Sequence, residues 1–296
     1  TQVSAEGRPR DEGWQIALVS DQASGDLFWR TTDGGWLEGR LGRLVVRSAA
    51  ETAESNTTLV NSLPGMNLTV DDFRIGDIAL GRLELRARND RGAWHLETLN
   101  LRNPDGALNG KAVWNNDGAG RHQTRLDFEL TASDVGRLLT RLGYVDAIRR
   151  GTAMLAGHAQ WNGPLTGIHY PSLSGQLSVI AENGQFNKLE PGVGRLLGLI
   201  SLQSLPRRLT LDFRDIFSDG LAFDSIEGKT TMTAGVMRIV DALRINSPAA
   251  QIEIRGEADM KNETQNLQVL VRPQMGAVAA IGTALINPIA GAAALV

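Results

Sequence analysis

The four histidines are the side chains best suited to binding a metal ion. They are His95, His122, His158 and His169, and no two have the His-x-x-x-His or His-Glu-x-x-His spacing that places two ligands on one helix face. The chain has no cysteine, which excludes disulfides, thiolate zinc sites and cysteine nucleophiles. We therefore predict no metal site and no cofactor.

A glycine-rich segment, Gly192-Val-Gly194-Arg-Leu-Leu-Gly198, has the spacing of a dinucleotide-binding loop, and Asp212 follows about twenty residues later. The preceding residues, 185–190, do not form a buried hydrophobic strand, and no β-α-β alternation follows. The glycines are better explained by close packing of a helix on a sheet.

Asp212 and Asp215 are spaced closely enough to act as an acid–base pair. Asp212, however, occupies the polar face of the alternating segment 209–213, where a charged residue is expected for solubility alone. The sequence also contains no Gly-x-Ser-x-Gly elbow and no phosphate-binding loop. We therefore predict that the protein is not an enzyme.

The charges are nearly balanced, with 30 Lys and Arg against 33 Asp and Glu, for a formal net charge of −3. Such a balance gives no electrostatic bias toward polyanions. The basic pairs Arg149-Arg150 and Arg207-Arg208 lack interleaved aromatic residues. We predict no nucleic-acid partner.

Most of the chain alternates apolar and polar residues with period two, as in Leu83-Glu-Leu85 and Ile252-Glu-Ile254. The pattern predicts a mainly β fold with roughly a dozen or more antiparallel strands. Seven Asn-Gly or Asp-Gly pairs are predicted to form hairpin turns; they begin at Asp33, Asp105, Asn109, Asp117, Asn162, Asn183 and Asp219.

Two short amphipathic helices interrupt the strands. One runs from Val135 to Leu142, with Ser133 as the expected N-cap and Gly143 as the stop. The other spans 191–201 and begins at Pro191.

The C-terminal residues 276–296 are uncharged, and eleven of these 21 are Gly or Ala. We expect a buried or interfacial apolar segment. Asn287-Pro288 interrupts the run, and its many Gly and Ala residues make it less hydrophobic than a typical membrane-spanning helix. The run stops without a polar cap, so we expect a truncated tail. Residues 1–275 are predicted to form the β segment, with a weak boundary near 116–120.

The alternating strands present an apolar face that something must cover. A sheet that curls into a closed sandwich would cover the face with its own second layer. An open, curved sheet would leave an apolar groove that accommodates acyl chains. The residue pattern leaves both possibilities open.

Four segments resemble the AsmA-like family of Gram-negative envelope proteins. They are residues 182–186 and 189–213, then 217–226 and 251–259; residues 108–114 resemble the recurring strand unit of that family. The resemblance implies a long repeating β-groove, a mainly β fold whose curved antiparallel sheet has an apolar floor capped by a few short helices. It also implies an inner-membrane anchor, a position in the periplasm reaching toward the outer membrane, and conduction of phospholipid between the two membranes.

From this resemblance we expect a C-terminal fragment of such a bridge, with phospholipid and the two membranes as partners and other envelope proteins as candidate partners. The alternative is a β-sandwich module that does not transport lipid. The residues predicted to line the groove are Leu83, Leu85, Leu99, Leu101, Leu126, Phe128, Leu130, Leu177, Val179, Leu209, Leu211, Phe213, Ile239, Ile252, Ile254, Leu267, Val269 and Val271. The residues predicted to gate it or to lie near a membrane are Val193, Leu196, Leu197, Ile200, Ile281, Leu285 and Ile286.

Overall fold

The computed structural model describes residues 4–31, 34–46, 63–90, 92–116, 122–165, 167–187 and 220–274. The described residues form fifteen β-strands and one α-helix, α1 (Val135–Arg141). The strands are β1 (Ser4–Arg10), β2 (Gly13–Val19), β3 (Ala23–Arg30), β4 (Trp36–Val46), β5 (Gly65–Ile75), β6 (Ile78–Asp90), β7 (Ala93–Asn103), β8 (Gly106–Asn116), β9 (His122–Ala132), β10 (Ile148–Asn162), β11 (Ser174–Phe186), β12 (Leu221–Thr233), β13 (Val236–Asn246), β14 (Ala250–Asp259) and β15 (Thr264–Pro273).

The strands hydrogen-bond in sequence order, from β1 at one edge to β15 at the other, in one sheet that is not closed. Neighbours pair antiparallel at β1–β2, β2–β3 and β3–β4 and again from β5 to β8 and from β11 to β15. Strands β4 and β5 pair in parallel. The predicted mainly β fold with an antiparallel sheet and few short helices is confirmed.

Strand β6 shows why these residues form strands with two unlike faces. Successive side chains alternate between faces, so Leu83, Leu85 and Ala87 share one side. Arg82 and Arg86 are exposed on the other side. The period-two pattern of the sequence therefore reports directly on the two sides of the sheet.

The chain divides into two compact units. The first comprises residues 1–129, 141–143 and 160–168, and the second comprises residues 130–140, 144–159 and 169–296. In the first unit one core cluster surrounds Leu41, Val70 and Leu83, and another surrounds Trp94 and Trp114.

The core of the second unit lies on strands β11, β12, β13 and β14. Its buried members are Ala181, Leu221, Phe223, Ile245, Ile252 and Ile254. Half-buried side chains of β15 pack against this cluster, so the last strand completes the apolar side.

Helix α1 confirms the first predicted helix and corrects its cap. The backbone N–H of Arg137 donates to Oδ1 of Asp134 at 2.9 Å, so Asp134 is the N-cap and the prediction of Ser133 was wrong. Gly143 has φ 93°, and Tyr144 N–H donates to the Leu139 carbonyl, which ends the helix in a Schellman turn. Gly143 is the stop that the sequence predicted.

Two of the predicted turns are wrong because strands run through them. Asn109-Gly110 lies inside β8 and Asn183-Gly184 lies inside β11. Asn183 does adopt φ 55°, yet the strand pairing continues on both sides of it. By contrast, Asp105 does lie in the turn between β7 and β8, and Gly106 ends that turn. The Asn103 side chain stabilises it by accepting hydrogen bonds from the backbone N–H groups of both residues.

The second predicted helix, at 191–201, and the apolar tail at 276–296 lie outside the described residues. Within the described ranges, no helix has the length and apolarity needed to cross a bilayer.

Candidate functional site

The candidate site in the first unit is a set of aliphatic rows that cross the strands on one side of the sheet. One row runs from Leu41 on β4 through its partner Val70 on β5 to Leu83 and then Leu101 on β7. Side chains directly opposite each other on neighbouring strands lie in contact. We call this side of the sheet the apolar face.

A second row ends at a glycine in the middle of β8. Leu68 is opposite Leu85, Leu85 is opposite Leu99, and Leu99 is opposite Gly110. A Cβ atom added at Gly110 would lie 3.2 Å from the Asp127 carbonyl oxygen and in ordinary contact with Leu99 and Leu126, at 3.6 and 3.8 Å. The side chains of Leu99 and Leu126 therefore flank this position of the row.

The second unit has an apolar face built in the same way. Ile245 on β13 lies opposite Ile252 on β14, which lies opposite Val271 on β15. The neighbouring row continues from Ile254 to Val269. Strand β15 alternates cleanly, with Leu267, Val269 and Val271 half-buried on this face.

The opposite side of the sheet carries charge in both units. In the first unit Asp71 accepts from Arg82 at 2.8 Å and from Arg40 at 3.3 Å. In the second unit Glu253 accepts from Arg272 at 2.6 Å, across the β14–β15 pair. Within each unit the sheet is therefore amphipathic, with ion pairs on one side and aliphatic rows on the other.

Arginine neighbours perturb one carboxyl group on this charged side. The hydrogen bond from Arg272 lowers the pKa of Glu253, burial opposes the change, and the charges of Arg272, Arg255 and Arg244 add to the lowering. Asp259, the last residue of β14, also has a lowered pKa, because Asn262 and Lys261 donate hydrogen bonds to its carboxylate. In both cases the groups that donate hydrogen bonds to the carboxylate explain why its pKa is lowered.

Eleven of the predicted groove residues belong to the core clusters, and they differ in accessibility. Leu83, Ile252 and Ile254 are buried by their neighbours. The half-buried members of the core clusters retain surface that a ligand could contact: Leu85, Leu99, Leu101, Leu126, Ile239, Leu267, Val269 and Val271.

Four further predicted residues, Phe128, Leu130, Leu177 and Val179, are half-buried on β9 and β11. Leu177 lies against Gly157 of β10, where an added Cβ would come within 2.7 Å of its side chain. The remaining predicted residues lie outside the described ranges: Leu209, Leu211, Phe213, Val193, Leu196, Leu197, Ile200, Ile281, Leu285 and Ile286.

Sequence reasoning missed several side chains that build the apolar face. Trp94 and Trp114 are directly opposite each other and buried, and Phe223 is buried in the second unit. The signal was present, because Trp94-His-Leu96 and Leu221-Ala-Phe223 alternate as the recognised strands do.

The described part of the chain offers little for catalysis. No group of three or more His, Asp or Glu side chains within it is arranged to hold a metal ion. His169 instead makes a 2.8 Å hydrogen bond with Ser172. The pair Asp212 and Asp215 lies outside the described residues.

Comparisons with known proteins agree on one family. The YhdP protein family matches residues 1–296. The intermembrane phospholipid transporter YhdP of Escherichia coli strain K12 is 28% identical over 188 residues, which are 63% of this chain and 15% of that protein. No solved structure matches this chain. Because the family match spans every residue, the chain belongs to the YhdP protein family.

Proposed function

We propose that this chain is a segment of a lipid-transfer bridge that crosses the periplasm and conducts phospholipids passively between the inner and outer membranes. The observation that carries the proposal is the amphipathic sheet of each unit, in which aliphatic rows cross β4 to β8 in the first unit and β13 to β15 in the second, opposite a side that carries ion pairs. In this function the rows form the floor of a groove, and the ion pairs keep the other side in water.

The energetics favour acyl chains on such a surface. Burying one methylene group is worth about 0.8 kcal/mol, so contact along several methylenes offsets much of the cost of removing a lipid from a membrane. The accessible residues, such as Leu85, Leu99 and Val269, are similar in size and polarity. Contacts of similar strength allow a lipid to slide, whereas one deep pocket would retain it. No covalent step is required, and the protein acts without catalysis.

The relative supports lipid as the cargo, since the Escherichia coli protein is an intermembrane phospholipid transporter. The matched residues cover 15% of that protein's length, so the activity, membranes and protein partners of a full-length bridge are part of the proposal. Localisation in the periplasm, within a protein that is anchored in the inner membrane, is part of the same proposal.

The test uses two neighbouring positions on β7. Leu101 is half-buried on the apolar face, and Arg102 is exposed on the opposite side of the sheet, which carries the ion pairs. A photoreactive p-benzoylphenylalanine replaces one residue or the other, and the purified protein is irradiated after incubation with phospholipid vesicles.

We expect phospholipid to crosslink at position 101 and not at position 102, and native mass spectrometry of the unlabelled chain to show bound phospholipid. Equal crosslinking at both positions, or no bound lipid in either experiment, would favour the alternative of a structural module and overturn the proposal.

A further inference from the structure

All six tryptophans of the chain lie in the first unit and at the same end of its strands. Each lies within three residues of a strand terminus: Trp14 near the start of β2, Trp29 near the end of β3, Trp36 at the start of β4, Trp94 near the start of β7, Trp114 near the end of β8 and Trp161 near the end of β10. We call this end of the strands the tryptophan end.

The pairing shows that these termini coincide. Antiparallel register places Trp14 directly opposite Trp29 and Trp94 directly opposite Trp114. Residue Trp36 is the parallel partner of Gly65, at the start of β5. The Trp114 and His122 rings, 5.9 Å apart, continue the line to β9.

The start of β9 in turn lies beside the end of β10, which carries Trp161. Gly163 N–H donates to the His122 carbonyl, and the Thr124 hydroxyl donates to the Gly163 carbonyl. The line of tryptophans therefore extends from β2 to β10.

Both directly opposed pairs belong to the apolar face. Trp94 and Trp114 are members of the core cluster that includes Leu99. In β2 and β3 the next pair on the same side as Trp14 and Trp29 is Ile16 opposite Leu27, and Leu27 packs on the core. Trp36 lies on the other side, over Gly65.

The opposite end of the same face is aliphatic apart from Phe73. Leu18, Leu44, Phe73 and Leu101 all pack on one core cluster there. None of the six tryptophans lies at that end. The two ends of the apolar face therefore differ in chemistry, and only one of them has indole N–H groups.

Two of the tryptophans are buried and bind neighbouring backbone, and two others are accessible to a ligand. Trp94 and Trp161 are buried, and their indole N–H groups donate to the Pro64 and Pro164 carbonyls at 3.1 and 3.0 Å. These bonds hold two chain segments over the tryptophan end. Trp14 is 48% exposed and Trp29 is half-buried, so this pair offers indole surface to a ligand.

Tryptophan has an apolar ring and one polar N–H, and it is enriched where apolar material meets water, as at membrane interfaces. We propose that a phospholipid bound to the first unit lies along the strands with its glycerol and head group at Trp14 and Trp29 and its acyl chains directed toward the aliphatic end. This inference rests on the proposed function and adds the orientation of the lipid.

The test compares two positions on β2 that share the apolar face, Trp14 and Leu18. Four residues of strand separate them by about 13 Å. The chain has no cysteine, so Trp14→Cys and Leu18→Cys each create one site for a bimane fluorophore. The labelled proteins are incubated with vesicles of phosphatidylcholine that carries a nitroxide either on the head group or at the end of one acyl chain, and are then separated from the vesicles.

We expect the head-group nitroxide to quench the label at position 14 more than the label at position 18, and the chain-end nitroxide to show the reverse order. Equal quenching at the two positions, or the opposite orders, would overturn the orientation while leaving lipid binding intact. Quenching that is lost when the vesicles are removed would show that the tryptophans contact a bilayer and do not hold a bound lipid. That result would also overturn the proposed orientation. Absence of bound lipid by mass spectrometry in the unlabelled chain would overturn the proposed function itself.

Discussion

Val269 and Leu270 are consecutive residues of β15 that lie on opposite faces of the sheet. Val269 is opposite Ile254 and packs on the core of the second unit, whereas Leu270 is opposite Glu253 and is 48% exposed. The two side chains have similar hydrophobicity, so any difference between them in function must come from the face that each occupies.

This pair provides a matched test of the apolar face. We expect Val269→Glu to lower the amount of phospholipid bound, because a carboxylate among the aliphatic side chains of the second unit must stay hydrated and excludes acyl chains there. Leu270→Glu adds the same charge on the side that already carries ion pairs, and it should leave binding unchanged. Native mass spectrometry measures bound lipid, and far-UV circular dichroism checks that both variants fold. Equal loss in the two variants would show that the face does not matter.

The buried ion pair between Asp105 and Arg141 should stabilise the first unit. Arg141 donates two hydrogen bonds to Asp105 Oδ2, at 2.9 and 2.6 Å, and the Asp105 side chain is only 4% exposed. We expect Arg141→Met to lower the free energy of unfolding by about 3 kcal/mol, because it removes two charge-assisted hydrogen bonds from a buried carboxylate. Urea unfolding followed by tryptophan fluorescence reports on this unit, which holds every tryptophan.

The control for this variant is Arg40→Met in the same unit. Arg40 is 3.3 Å from Asp71, but its side chain is 69% exposed, so its loss should cost about 0–1 kcal/mol. Similar costs for the two variants would show that burial does not strengthen the Asp105 pair.

Alanine substitutions at two glycines of the β5–β6 hairpin distinguish the cost of backbone strain from the cost of steric conflict. Both have positive φ, 100° at Gly81 and 55° at Gly76. A Cβ at Gly81 would lie 2.3 Å from the Arg102 carbonyl oxygen, whereas Gly76 has open space around it. We expect Gly76→Ala to cost about 1 kcal/mol for the left-handed conformation alone.

Gly81→Ala should cost clearly more, about 3 kcal/mol, because strands β6 and β7 would have to separate. The same urea titration measures both variants. Equal costs would mean that the strands adjust freely at this position.

The lowered pKa of Glu253 predicts a pH dependence of the second unit. A carboxyl group whose folded-state pKa lies below its unfolded value of about 4.3 stabilises the fold above that value, and the contribution is lost as the pH falls through the folded-state pKa. We expect Glu253→Gln to be less stable than the parent chain at pH 7 and equally stable at the acidic end. Urea midpoints by circular dichroism at several pH values give the comparison, and a difference that does not change with pH would contradict the assignment.

Some features follow from local pattern alone. Period-two alternation identified the inward residues Leu83, Leu85, Ile252 and Ile254, because a strand turns successive side chains to opposite faces whatever its partners. The spacing of apolar residues predicted the helix that begins at Val135. Gly143 was predicted to end it, because the residue after a helix often needs a positive φ, which glycine adopts readily.

Other features depend on partners distant in the chain. Asn109-Gly110 has the local chemistry of a turn, but both residues pair with Asn100 and Leu99 of β7, which makes them the middle of a strand. The parallel β4–β5 pair and the position of Asp134 as the helix cap were likewise decided by geometry that short windows of sequence do not contain.

The sequence by itself determined the fold class, the inward residues of most strands and the family resemblance, since each depends on residue types and local spacing. The tertiary structure decided which strands are neighbours and in what register. Register aligned six tryptophans, separated by up to 147 positions from Trp14 to Trp161, at one end of the first unit. Alternation places a side chain on a face, but only pairing across strands determines which other side chains lie beside it.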